Sequence, residues 1–117
     1  MWVAVARDGD PVGFALAREL GGLAHLDELD VVPEHGRQGL GAQLLRAVCH
    51  WAAGRGYAAL TLSTFRDIPW NAPFYSRHGF RIAHPHDLSE EHVYLVRSEH
   101  ARGLRTDLRV VMEYRLG

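Results

Sequence analysis

Leu29-Asp30-Val31-Val32-Pro33-Glu34-His35-Gly36-Arg37-Gln38-Gly39-Leu40-Gly41 carries an apolar strand through a glycine-rich, basic turn straight into an amphipathic helix. Such a junction aims free backbone N–H groups, the positive end of a helix and a guanidinium at one point. A phosphate is the group that fits there. Pro33 predicts the end of the strand, because proline cannot donate to a ladder. From Gly39 the apolar period changes to three and four: Leu40, Leu44, Leu45, Val48, Cys49 and Ala52 form one stripe, closed by Gly54 and Gly56.

Upstream, the apolar runs Trp2–Ala6 and Val12–Leu16 flank Asp8-Gly9, which predicts a hairpin of two antiparallel strands. Residues Arg18 to Leu23, with paired glycines, read as a loop, and His25–Val32 reads as the third strand. Downstream, Tyr57–Thr64 is apolar and β-prone, and Trp70 to His78 suits a short helix with Pro73 in its first turn. Gly79-Phe80-Arg81-Ile82 starts another strand. Asp87 with Glu90 resembles a capping box for a helix over Leu88–Leu104, and Val110–Tyr114 is the last strand. The expected order is β-β-β-α-β-α-β-α-β, an α+β (mixed α/β) fold in a single domain over residues 1–117.

Composition narrows the function. The chain has 117 residues, a formal net charge of −1, 47% apolar and 23% charged residues, and one cysteine. Near-neutral charge without a basic stripe argues against a nucleic-acid partner. No run approaches about 18 consecutive apolar residues, so no membrane span is expected. A lone cysteine and the absence of a signal-like N-terminus fit a cytoplasmic protein.

Three glycine-rich phosphate loops can be compared with Gly36–Gly41. A Walker loop ends in Gly-Lys-Ser/Thr, which is missing. A dinucleotide fingerprint reads Gly-x-Gly-x-x-Gly, with an acidic residue about 20 positions on. The order here is Gly-x-x-Gly-x-Gly, and Leu60–Ser63 carries no acid. The second informative segment follows the next strand: Thr64-Phe65-Arg66-Asp67-Ile68-Pro69-Trp70-Asn71-Ala72-Pro73-Phe74-Tyr75-Ser76-Arg77-His78-Gly79-Phe80. Together the two segments resemble the GCN5-related N-acetyltransferase (GNAT) superfamily, in its bacterial small-molecule branch. The first is similar to that family's Arg/Gln-x-x-Gly-x-Gly/Ala motif, the second to its Asn…Tyr-x-x-x-Gly-Phe motif. The resemblance covers residues 2 to about 83.

The resemblance implies a largely antiparallel twisted sheet with flanking helices, and acetyl transfer from acetyl-CoA to a small-molecule or peptide amine. It implies that the third strand is bulged and splays from its neighbour, and that the pantetheine arm lies in the gap. Leu29, Asp30 and Val31 would then face the arm, with a strand N–H of Leu29 or Val31 meeting the oxyanion. Arg37, Gln38, Gly39, Leu40, Gly41 and Ala42 would wrap the pyrophosphate. Asn71 would bond the arm, and Tyr75 would serve as general acid beside the departing sulfur. Two departures stand out: Gly36 occupies the motif's opening basic position, with Arg37 one place later, and Asn71 precedes Tyr75 by four residues.

For the base, Asp27, Glu28 and Asp30 crowd the strand. Alternation sets Glu28 and Asp30 on one face and Asp27 on the other. Glu28 is the expected base, with Asp67 as its rival. Eight histidines are scattered and no metal is expected; Cys49 sits on the apolar stripe as a core residue. Arg97, Arg102, Arg105 and Arg109 read as solvated residues on a helix edge. Compared with the family pattern, the chain starts at the second strand, which leaves an open edge beside Trp2–Ala6 and predicts a homodimer. A CoA-binding module without useful catalysis is the alternative reading.

Overall fold

The computed structural model describes residues 1–5, 9–32, 39–67, 71–83, 89–101 and 109–116. Nine elements follow in the expected order: β1 (Trp2–Val5), β2 (Pro11–Leu20), β3 (Leu23–Val31), α1 (Leu40–Gly54), β4 (Ala59–Phe65), α2 (Ala72–Arg77), β5 (Arg81–Ile82), α3 (Glu90–Ala101) and β6 (Arg109–Arg115). The strands form one sheet in the order β1-β2-β3-β4-β6-β5. Only β3 and β4 run parallel; every other pair is antiparallel. The fold is α+β, as the residue pattern predicts.

Several boundaries differ from the expectation. The expected loop over Arg18 to Leu23 is strand almost throughout, because Gly21 and Gly22, at φ +59° and +80°, turn the chain in two residues. Antiparallel pairing then continues down to Leu20 opposite Leu23. At α3 the cap is Ser89, whose Oγ accepts the N–H of His92 at 3.2 Å. Pro33, Trp70, Asp87 and the His84–His86 stretch lie outside the described residues.

Alternation divides the sheet into two unlike faces. On one face, Ala15, Ala24, Leu26, Leu60, Leu62 and Met112 pack under Leu44, Leu45, Val48 and Ala52 of α1 and under Tyr75 and Phe80. Trp51 of α1 closes this core toward the chain's start, with ring centroids 5.5 Å from Trp2 and 5.8 Å from Tyr57. The opposite face is polar: His25, Thr61 and Glu113 are buried there, and Glu113 holds Arg81 at 2.9 Å. No described helix is long and apolar enough to cross a membrane.

One irregularity positions everything that follows. Leu16 pairs with Glu28, but Ala17 pairs with Leu26, so Asp27 is an extra residue, a β-bulge. The parallel register joins only Ala24–Leu26 to Leu60–Leu62. Beyond it β3 stays with β2 as far as Val31, and β4 stays with β6 as far as Phe65. The two central strands therefore part.

Gly13 keeps β3 in this position. A Cβ there would lie 2.9 Å from the Asp30 carbonyl oxygen and 3.1 Å from a Val31 methyl. Gly13→Ala is expected to cost about 1–3 kcal/mol, an overpacking penalty against backbone that cannot swing aside. A lower urea midpoint at unchanged m-value checks this.

Candidate active site

The open side of the parting forms a cavity of about 310 Å³ between β3 and β4. Its walls include Glu28, Leu29 and Asp30 of β3, Ser63 and Thr64 of β4, Asn71 and Tyr75 at α2, and Arg109 of β6. Acidic, hydroxyl and amide side chains thus meet where two neighbouring strands share no hydrogen bonds. That leaves backbone polar groups of β3 without a strand partner on the gap side.

Which groups those are follows from the ladder. The N–H of Val32 donates to Val12 at 2.8 Å, and the register then pairs Val31 with Gly13, Asp30 with Phe14 and Leu29 with Ala15. Antiparallel strands alternate bonded and non-bonded pairs. Asp30 and Glu28 therefore spend their backbone groups on β2, whereas Leu29 and Val31 turn theirs into the gap. The side chains of Leu29 and Val31 pack against the apolar core, so Glu28 and Asp30 project to the opposite, polar face.

The bulge changes one expectation. It brings Asp27 onto the same polar face as Glu28 rather than the opposite one, where Arg18 grips both carboxylate oxygens at 2.9 and 3.1 Å. Asp27 is thereby committed to an ion pair. Asp67 contacts Arg66 at 3.3 Å on an exposed turn. A side-chain hydrogen bond with Asp30, loss of water and the negative neighbours Asp30 and Asp27 raise the pKa of Glu28 above the ordinary carboxylate value.

Tyr75 comes from the other side. It is 7% exposed, its ring wedged against Phe74 and Phe80 at centroid distances of 5.2 and 5.6 Å. Burial, aided by the charge on Asp30, pushes its hydroxyl up to about 12, so the phenol stays protonated at physiological pH. Asn71 precedes α2 and its carbonyl accepts the Tyr75 N–H at 3.1 Å. Its side chain makes no capping bond, which leaves the amide available on the cavity wall.

At the far end of β3, α1 begins with Gly39 at φ +75°, a left-handed conformation that suits glycine. The first bond of the helix runs from Gln43 N–H to the Gly39 carbonyl at 3.1 Å. The N–H groups of Leu40, Gly41 and Ala42 thus precede the ladder, and among the described residues no side chain caps them. A Cβ on Gly41 would approach Phe74 at 3.6 Å, whereas above Gly39 the described structure leaves open space. Arg37 and Gln38 lie outside the described residues.

Two other sequence readings can be placed. Arg109 is the first residue of β6, not part of a helix edge; it reaches the Ser63 carbonyl at 3.0 Å and lines the cavity. Cys49 is half-buried against the core, and burial pushes its thiol up, away from nucleophile chemistry.

The family model for "Acetyltransferase (GNAT) family" matches residues 1–80, which includes both strands of the gap, the start of α1 and all of α2. The chain belongs to the GNAT family. Aminoglycoside N(6')-acetyltransferase type 1 of Klebsiella aerogenes is 45% identical over 62 residues, 46% of this chain and 41% of that protein. The chain thus spans less than half the length of this curated relative. Among solved structures, the fold matches N-acetylglutamate synthase from Neisseria gonorrhoeae, complexed with coenzyme A and N-acetyl-glutamate, at a TM-score of 0.78 and 20% identity. That match covers 98% of this chain and 25% of that one. A GNAT-family acetyltransferase from Staphylococcus aureus Mu50 matches at TM-score 0.76 and 19% identity, over 99% and 66% of the two chains.

The raised pKa of Glu28 has a direct check. Replacing Asp30 by Asn removes the neighbouring charge that favours the protonated form, so the Glu28 side-chain carbon should titrate at lower pH in Asp30→Asn than in the parent. Carbon-13 NMR of the carboxyl resonances reads this; an unmoved midpoint contradicts the pairing.

Proposed function

We propose that this chain is an acetyl-CoA-dependent N-acetyltransferase acting on a small-molecule amine in a ternary complex. The observation that carries this reading is the β3–β4 gap, with the buried Tyr75 on one face and the carboxylates of Glu28 and Asp30 on the other. Family membership supports it.

In this reading the pantetheine arm lies in the gap as a surrogate strand, against the backbone groups of Leu29 and Val31, with Asp30 between them. The pyrophosphate takes the uncapped N–H groups of Gly39, Leu40, Gly41 and Ala42, with Arg37 and Gln38 completing the turn. Asn71 bonds the arm near the thioester. The acceptor approaches from the polar face, where Glu28 receives the proton that its ammonium must lose before the nitrogen can attack. A base with an elevated pKa is better matched to that task near neutral pH.

The nitrogen then adds to the thioester carbonyl, and the oxyanion meets the N–H of Leu29 or Val31. Collapse breaks the carbon–sulfur bond. The Tyr75 hydroxyl donates to the departing thiolate, and the products are an N-acetyl amine and the free thiol of CoA. A phenol that stays neutral to about pH 12 is always in the donor state for this step.

Glu28 and Asp30 on one strand face, with Asp27 already paired to Arg18, favour a cationic acceptor, and the Klebsiella relative's name points to aminoglycosides. The lone cysteine and the demand for acetyl-CoA fit a cytoplasmic site of action. A homodimer through the β1 edge is part of the same reading: β1 ends the sheet, and Met1, Val3 and Val5 stand 77%, 49% and 60% exposed there.

Two measurements test the proposal. Thiol release with acetyl-CoA over a panel of amines, aminoglycosides and polyamines included, should give turnover; acetyl-CoA binding without turnover on any amine favours the CoA-binding module. Tyr75→Phe should lower kcat by about 10²-fold or more while the Kd for acetyl-CoA stays within a few-fold. Equal losses in both would make Tyr75 a binding residue rather than an acid.

A further inference from the structure

Just behind the closed end of the gap, the polar face carries a buried arrangement that acetyl transfer does not use. His25 of β3 and Thr61 of β4 are register partners, and His92 of α3 reaches down to them. His25 is 2% and His92 1% exposed, with ring centroids 5.7 Å apart. Thr61 Oγ1 lies 3.2 Å from the Ala24 carbonyl, 2.8 Å from His25 Nδ1 and 2.9 Å from His92 Nε2. A carbonyl only accepts, so the Thr61 hydroxyl donates there and its oxygen accepts from both imidazoles.

That assignment fixes the remaining protons. His92 Nδ1 is left as an acceptor, and the Ser89 hydroxyl, 2.6 Å away, donates to it while accepting the His92 backbone N–H. Every bond is made with both rings neutral. A further proton at His92 Nδ1 turns that acceptor into a donor and places a charge in a dry site.

The surrounding charges do not offset this. Asp27 of β3 is held by Arg18 of β2, Glu113 of β6 by Arg81 of β5 with Arg115 at 3.7 Å, and Glu91 of α3 is exposed. Burial outweighs the attraction of Asp27 and lowers His25 from 6.5 to about 4; burial lowers His92 as well, against the pull of Glu91.

This contact anchors the first turn of α3. Glu90, Glu91, Val93, Tyr94 and Arg97 of α3 are exposed, and His92 is its buried anchor among the described side chains, with Leu95 half-buried. By alternation, His25 and Thr61 share the face that bears Glu28 and Asp30, so α3 lies on the side from which the acceptor comes.

We propose that His25 and His92 are positioning residues for the transfer: bridged by Thr61 as a neutral pair, they fasten the closed end of the β3–β4 gap and hold α3 beside the acceptor, and acid releases that hold. Only the catalytic consequence rests on the function proposed above; the latch is a property of the free protein.

The sign follows from linkage. An opened His25 binds a proton near pH 6.5 and the closed one near 4, so opening takes up a proton and acid favours it in between. From pH 8 to pH 5 the opening equilibrium rises about 30-fold for His25 alone. Hydrogen exchange should therefore show α3 amides losing about 30-fold in protection factor, while α1 amides of similar protection hold theirs. In the double variant His25→Asn, His92→Gln, two amide N–H donors that cannot titrate face Thr61, and α3 protection should be equal at both pH values. With turnover, the acceptor KM at pH 5 should exceed that of the double variant several-fold, the KM for acetyl-CoA being alike in both. Unchanged α3 protection in the parent protein, or a fall shared by the whole sheet, overturns the latch whether or not transfer is detected. An acceptor KM with the same pH dependence in both proteins overturns the positioning role.

Discussion

The parting of β3 from β4 is the constraint on which the rest of the site depends. Two adjacent parallel strands ordinarily exchange hydrogen bonds along their whole shared length. Here a single extra residue, Asp27, takes the twist of β3 away from β4 after Leu26. The backbone groups of Leu29 are left facing a cavity rather than a strand, and those of Val31 turn to the same side beyond it, which is costly unless water or a ligand meets them. An extended chain with its own amide groups satisfies that need better than a compact molecule does. The same parting brings side chains from both faces of the sheet to one cavity: Tyr75 from the apolar face, Glu28 and Asp30 from the polar one.

The rest of the fold keeps the gap from closing or widening. On the apolar face, Leu44 of α1 lies over Gly13 and Val31, which ties the start of the helix to the open end of β3. Phe74 and Phe80 brace Tyr75 from either side. Across the sheet, the ion pair of Arg18 with Asp27 pins the bulged residue to β2. The buried His25–Thr61–His92 group sits at the point where pairing stops, and its bonds run between three elements instead of along one. Polar bonds at that point are direction-specific in a way that apolar packing is not, and an apex that must sit in one place benefits from them.

Much of this was legible in the residues, and what was not has a physical reason. Element order followed from local signals: the three-and-four period after Gly39, the apolar, β-prone run Tyr57–Thr64, Pro73 in the first turn of α2. Tyr75 and Asn71 could be singled out by the similarity of their segment to a family motif. The resemblance implied a bulged strand but not which residue is the extra one, because that is defined only against the register of the partner strand. Asp27 was consequently placed on the wrong face. Arg109 was read as a helix residue because the boundary of β6 depends on its long antiparallel pairing with β4. His25 and His92, far apart in the chain, looked like scattered imidazoles until α3 brought them to 5.7 Å. The paired glycines at 21 and 22 signalled a turn correctly but not how short it is.

The most direct test of the account is whether a ligand occupies the gap as a strand would. Backbone amide resonances of the nitrogen-15-labelled protein should be followed while CoA is added. The N–H groups of Leu29 and Val31 should shift strongly and gain protection from exchange, with Gly39, Leu40, Gly41 and Ala42 moving in parallel and the amides of β1 and β5 staying in place. Binding of CoA that leaves Leu29 and Val31 unmoved would contradict the central claim, because the ligand would then be held somewhere other than between β3 and β4.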